Sequence, residues 1–288
     1  VVSPGTVIIT AAGNCNAISK VVEPLFKQNA GPIYYINISQ DAFKLGGSAF
    51  GQILNTIGTE TPNVQSAAYV KTVFNTLQEL IQNNKIVAGH DVASGGLITT
   101  LLELCFSDTN LGADLDLNSL EEADSIKLLF SENSGIVFQA VDASVAAELS
   151  KVSIDFYELG TVTNQPVLNI KNASDDLALN INELRDVWYE TSYLLDQKQT
   201  ANGLAKDRFD NYKTQVLNYK FPQQFTGKLP NINLTNKPKA AIIREKGSNS
   251  EREMANAMYL AGFDVKDVHM TDLISGRETL EDIQFIGA

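Results

Sequence analysis

The sequence predicts a mixed α/β protein: a two-layer α/β sandwich over residues 1–172, a connector over 173–237, and the opening of a second α/β unit over 238–288. Three observations carry this. Short apolar or alternating runs bounded by glycine and asparagine recur through the first part, interleaved with stretches of helical apolar spacing. Between 173 and 237 the texture turns polar, and Pro222, Pro230 and Pro238 punctuate an extended stretch. After Pro238 a strand, turn, helix and strand start afresh, as in the first half of a doubly wound sheet.

The first element expected is a buried strand over 6–12, β-branched and apolar between Gly5 and Gly13. Residues 17–26 have helical spacing, with Pro24 limiting the helix. A strand over 33–38 follows. Gly46 and Gly47 then precede a short helix, and a long amphipathic helix presents Ala67, Val70, Val73, Phe74, Leu77, Leu80 and Ile81 on one apolar face. Residues 86–91 read as a strand, Gly95 and Gly96 open a helix over 97–106, and polar–apolar alternation over 113–117 marks a half-buried strand. The apolar residues 126–129, a strand over 135–141, a helix around 143–151 and strands over 157–162 and 167–170 complete the first part. In the connector, a helix over 182–197 carries Trp188, Tyr189 and Tyr193. The last part offers a strand over 239–244, a turn at 247–250, a helix over 251–261, a strand over 265–268 and the start of a third at Phe285. Parallel strands need cover on both faces, so the chain is expected to stop in mid-domain.

Composition narrows the function. A hydrophobic share of 44% with 19% charged residues is that of a folded globular chain, not a disordered one. No run approaches the roughly 18 apolar residues of a membrane span. The net charge of −12 repels a phosphate backbone, so no nucleic-acid partner is expected. Residues 1–172 hold 17 acidic and 8 basic groups, a net of −9, which puts any metal–nucleotide chemistry there. Two cysteines without CxxC spacing, and an N-terminus without a signal-like pattern, make a reducing cytoplasm the expected setting.

The sharpest local feature runs from Gly89 to Gly96. Asp91 ends a strand and Ala93, Ser94, Gly95 and Gly96 turn into a helix. Such a carboxylate suits Mg²⁺, and glycine N–H groups suit phosphate oxygens. Equally, Asp91 or Ser94 caps the helix and the glycines make a tight turn. His90 is open to a base or a structural role, and His269, far along the chain, forms no metal pair with it. The turn at Leu45–Ser48 either cradles a phosphate or packs closely. Glu132, just ahead of a strand, is expected to steady a turn. Cys105 falls in an apolar helix phase and is expected to be a buried inert thiol, with Cys15 in a loop. No residue is put forward as catalytic.

The stretch His90–Phe106, HDVASGGLITTLLELCF, resembles a motif of the phosphoribosylformylglycinamidine synthase family, in its second aminoimidazole-ribonucleotide-synthetase-like C-terminal domain. Leu45–Ala49 looks like the family's RLGG-S/T-AL segment, with Lys44 where arginine is usual. Leu184, Arg185, Trp188, Thr191, Ser192 and Tyr193 resemble its connector motif, and the runs Arg244–Ala255 and Asp267–Leu273 look like the start of its flavodoxin-like class I glutaminase domain. These landmarks occur in order along essentially the whole chain.

The resemblance implies an ATP- and glutamine-dependent conversion of formylglycinamide ribonucleotide to its amidine, through an iminophosphate that ammonia attacks. It implies that this chain is a fragment, inactive alone, whose partners are the remaining domains of the same polypeptide. The reacting ATP and substrate would bind before Val1, and the glutaminase cysteine would lie beyond Ala288. Asp91 would be a Mg²⁺ ligand at an auxiliary ATP or ADP site completed by the upstream domain. Ala93 stands where the family has a nucleotide-contacting serine, and Ser94 where it has aspartate. The competing class is a stand-alone Mg²⁺–nucleotide-binding or interaction module.

Overall fold

The computed structural model describes residues 9–15, 17–214, 220–225, 227 and 235–288. The chain divides into two compact units, Val1–Thr214 and Gln215–Ala288.

The first unit is built on a seven-stranded sheet. Its strands are β1 (Ile33–Asn37), β2 (Ile86–Asp91), β3 (Gly112–Asp116), β4 (Gly135–Ala140), β5 (Tyr157–Thr163), β6 (Val167–Asn172) and β7 (Asp175–Asn180). They lie in the order β2-β4-β1-β5-β3-β6-β7, with β3 and β6 parallel and the other neighbours antiparallel. The helices are α1 (Ala49–Ile53), α2 (Ala67–Gln82), α3 (Gly96–Phe106), α4 (Ser125–Phe130), α5 (Val145–Lys151), α6 (Ile181–Asp196) and α7 (Leu204–Asn211).

Successive side chains of a strand point to opposite faces, so one strand feeds two cores. Ile33 and Tyr35 of β1 join Leu97, Leu101 and Leu104 of α3 and Leu128 of α4. Tyr34 and Ile36 pack instead with Val73, Leu77 and Leu80 of α2 and Val145 and Leu149 of α5. Helices therefore cover both faces over β2, β4 and β1. Over β3, the second face carries the exposed Asp114 and Asp116, the polar half of the alternation seen in the sequence.

Local chemistry sets the boundaries. The Ser66 hydroxyl accepts from Tyr69 N–H at the start of α2, and Asn180 accepts from Asn182 and Glu183 N–H at the start of α6. Three expectations fail. Of the strand over 6–12, residues 6–8 lie outside the described set, while 9–12 form no strand and Ile9 is exposed. The helix over 17–26 shrinks to one 3-10 turn, Ile18–Lys20, none of whose residues is buried. Phe74 of α2 is 61% exposed, turned away from the stripe of Val73, Leu77 and Leu80. One strand was not foreseen: β7, whose alternation DDLALN is short and acidic at its start.

The second unit contains β8 (Lys239–Arg244), α8 (Glu251–Leu260), β9 (Asp264–His269), α9 (Met270–Ile274) and β10 (Phe285–Gly287). Its three strands are parallel, in the order β10-β8-β9, with Ala240, Ala241 and Ile242 of the central strand buried. That is the β–turn–α–β arrangement expected from the sequence; the short α9 was not foreseen. Pro222 and Pro238 lie among the described residues in no regular element, and Pro230 lies outside them.

Candidate functional site

The corner at Asp91 is made by a strand end, a turn and a helix start. His90 and Asp91 pair with Val137 and Ile136 of β4, which fixes the end of β2 against the sheet. Val92 N–H then donates to the carbonyl of Gly135 (2.8 Å) and turns the chain away. Gly95 and Gly96 have φ of 91° and 76°, a region that side-chain-bearing residues avoid. A Cβ on Gly96 would also stand 2.7 Å from the carbonyl oxygen of Leu129, so glycine lets α3 start against α4. The Asp91 side chain is 73% exposed, while its carbonyl accepts from the Thr100 hydroxyl (3.0 Å). Ala93 and Ser94 are exposed. On the other side, His90 and Asp91 border a cavity of about 270 Å³ lined by Val22, Phe74, Ile81, Ile136 and Phe138.

Glu132 meets the starts of both α1 and α3. One carboxylate oxygen accepts the backbone N–H of Gly95 (2.9 Å) and that of Ala49 (2.7 Å). Two helix starts, each with partial positive charge, thus converge on one fixed anion. Gly96 N–H donates to the carbonyl of Ala93 (3.0 Å). In the other glycine turn, Gly46 and Gly47 N–H donate to the carbonyls of Glu60 (2.8 Å) and Ile57 (2.7 Å). A Cβ on Gly46 would lie 2.2 Å from the Glu60 carbonyl oxygen, so that turn packs closely. The neighbouring Asn133, buried, donates to Ser39, Asp41 and Ala42 and ties the loop after β1 to the Glu132 segment.

His90 leads in another direction. Its Nδ1 lies 2.7 Å from the Asp91 carbonyl and its Nε2 lies 3.2 Å from a carboxylate oxygen of Glu103 on α3. The other Glu103 oxygen accepts Nε1–H of Trp188 on α6 (3.2 Å). Close by, Nη1 of Arg185 donates to the carbonyl of Phe106 (3.0 Å) at the end of α3, and the Phe106 ring meets Trp188 edge-on at 5.9 Å. Sequence reasoning quoted Glu103 and Trp188 inside motifs without giving them a role. The signal was there: Glu103 is the lone charge in the otherwise uncharged α3, and Trp188 is the chain's single tryptophan.

Cys105 is buried and burial pushes its thiol up to about 12, as expected of an inert packing residue, whereas Cys15 is exposed. His90 and His269 belong to different units. Among the described residues no group of three or more His, Cys, Asp or Glu side chains is arranged to hold a metal. Tested against Mg²⁺ and a nucleotide, the corner offers one exposed carboxylate, Asp91, and one exposed hydroxyl, Ser94. The amides of Gly95 and Gly96 do not fit a phosphate, because Glu132 and Ala93 already take them. No helix among the described residues is long and apolar enough to cross a membrane.

Comparison with known proteins agrees with this architecture. Residues 40–171 match the family described as AIR synthase related protein, C-terminal domain, and residues 237–288 match the CobB/CobQ-like glutamine amidotransferase domain. A probable phosphoribosylformylglycinamidine synthase of Arabidopsis thaliana, named as chloroplastic/mitochondrial, is 34% identical over 298 residues, covering 99% of this chain and 21% of the relative. The phosphoribosylformylglycinamidine synthase of Homo sapiens is 32% identical over 299 residues, covering 99% of this chain and 22% of the relative. Among solved structures, PurL of Thermotoga maritima complexed with ATP shares 15% identity at a TM-score of 0.45, over 58% of this chain and 28% of that one. The chain spans 21–23% of the length of the curated relatives it matches. Along 99% of its own length the chain is similar to the phosphoribosylformylglycinamidine synthases.

Proposed function

We propose that the chain serves as one section of an ATP- and glutamine-dependent ligase that converts formylglycinamide ribonucleotide to its amidine in purine biosynthesis. The observation that carries this is the 32–34% identity along 99% of the chain to proteins named for that synthase. The order of the two domain matches supports it. The described chain offers no nucleophile for glutamine hydrolysis: Cys105 is buried with a raised thiol, and Cys15 lies in an exposed loop. Its role in the whole ligase is to hold neighbouring domains in place. Its partners are the remaining domains of the same polypeptide, which supply the sites for formylglycinamide ribonucleotide, glutamine and the reacting ATP. Its setting is the cytoplasm or a comparably reducing organelle.

Within that role Asp91 is the Mg²⁺ ligand of an auxiliary nucleotide site. Ser94 is the hydroxyl that meets an ATP or ADP molecule there, while Ala93, Gly95 and Gly96 shape the turn. A Mg²⁺ ion at this point would neutralise nucleotide phosphates. Glu132 keeps the α1 and α3 starts in place, and the Asp91 carboxylate, 3.4 Å from His90 Nδ1, is 73% exposed.

The test is thermal. With Mg²⁺ and ADP, the unfolding midpoint is expected to rise in a protein that also carries the sequence preceding Val1, and to stay unchanged in the 288-residue chain alone. Asp91→Asn should abolish the rise. An equal rise in Asp91→Asn removes Asp91 from the site, and no rise in the longer protein overturns the nucleotide reading.

A further inference from the structure

Three polar side chains from three elements form a line that the proposed function does not need. His90 sits at the end of β2, Glu103 on the third turn of α3, and Trp188 on α6, 85 residues further along the chain than Glu103. The contacts are His90 Nε2 to Glu103 (3.2 Å) and Trp188 Nε1–H to Glu103 (3.2 Å), one to each carboxylate oxygen. His90 Nδ1 completes the line at the Asp91 carbonyl (2.7 Å). The His90 and Glu103 side chains are only 22% and 28% exposed, so the contact between them is partly shielded from water. A carboxylate on an apolar helix is costly unless both its oxygens are engaged, and these two are. The same Asp91 carbonyl also receives the Thr100 hydroxyl of α3, so the Asp91 main chain is held from two positions on one helix.

The seating of α6 is independently firm. Arg185 caps the last carbonyl of α3, and Trp188 packs on Phe106, so α6 cannot shift along α3 without breaking the bond to Glu103. We propose that Glu103 is a positioning residue that joins Trp188 to His90, so that the seating of α6 fixes the main chain at Asp91 and with it the place of the Asp91 carboxylate. The functional consequence rests on Asp91 being a ligand; the coupling itself does not.

The composition makes the coupling measurable at fixed pH in the ligand-free 288-residue chain. There is one tryptophan, and of the two histidines the other, His269, lies in the second unit. Trp188→Phe keeps an aromatic ring beside Phe106 and removes the N–H donor together with part of the indole. The NMR resonances of the His90 imidazole are expected to move in this variant while those of His269 stay in place. Conversely, His90→Gln should displace the Trp188 indole N–H resonance, and Glu103→Gln should displace both signals. A role for Glu103 confined to docking α6 would leave the indole resonance unmoved by His90→Gln, and that result overturns the proposal. Should His90→Gln fail to fold, the Trp188→Phe arm decides by itself. In the longer protein that binds Mg²⁺ and ADP, Trp188→Phe is expected to weaken binding about three- to tenfold, the worth of roughly one hydrogen bond. Absence of nucleotide binding in the wild type would sink the ligand reading and leave the NMR result to judge the coupling.

Discussion

A carboxylate oxygen of Glu132 accepts the backbone N–H of Gly95 at 2.9 Å, which puts a fixed negative charge where a helix start would otherwise attract an anion. The same oxygen accepts Ala49 N–H, so a single residue closes two helix starts. Glu132→Ala is expected to lower the unfolding free energy by about 2–3 kcal/mol, because two charge-assisted bonds go and two amides lose their partner. Glu132→Gln, which keeps one acceptor oxygen, should lose about 1 kcal/mol. Urea unfolding of the three proteins checks the order, and indistinguishable midpoints would show that the bridge contributes nothing.

The two thiols should behave differently. Cys15 is exposed and should react with a disulfide reagent in the native protein; Cys105 should react only after denaturant is added. Burial raises the Cys105 thiol to about 12. A raised folded-state value favours the protonated form, so its contribution to stability is complete below the unfolded thiol range, about 8.5, and fades as pH climbs from there toward 12. Counting reactive thiols with and without urea tests the first part, and urea midpoints in alkali test the second.

Asp41 gives the opposite sign. The hydrogen bond from Lys44 (2.7 Å), followed by the Asn63 N–H (2.9 Å), holds its carboxyl below the usual range. A lowered folded-state value means stability that is complete above the unfolded carboxyl range, about 3.9, and is lost as pH falls below it. Wild type should therefore lose urea resistance more steeply in acid than Asp41→Asn, which starts lower at neutral pH. Parallel acid limbs for the two proteins would exclude this account.

Arg185 is expected to resist conservative replacement. Its guanidinium reaches the Phe106 carbonyl and lies 5.3 Å from the centre of the Tyr212 ring. A lysine ammonium lacks the planar face and the fork, so Arg185→Lys should cost nearly as much as Arg185→Ala, about 1–3 kcal/mol. Recovery of wild-type stability by lysine would show that charge alone matters there.

Much of this architecture was legible along the chain because the signals are local. Glycine pairs before α1 and α3 and the alternation of β3 each act within a few residues. The failures have a common cause. Residues 9–12 carry a strand pattern but are exposed, and of 17–26 the core takes Val22 and Phe26 alone, so too little burial holds either element. Phe74 fits the helical spacing but stands one residue off the stripe that α2 buries.

The candidate site divides in the same way. The sequence by itself determined that Asp91 ends a strand before a glycine turn, that Cys105 is buried, and that four ordered motifs resemble those of the phosphoribosylformylglycinamidine synthases, a resemblance that the relatives bear out. Only the tertiary structure decided that Glu132, 37 residues beyond Gly95, accepts the Gly95 amide, and that Trp188 reaches Glu103 across 85 residues. The reason is physical. Caps and turns are satisfied by near neighbours and leave a local pattern, whereas a carboxylate can pair with any donor the packed core brings within about 3 Å, and that proximity has no signature in sequence spacing.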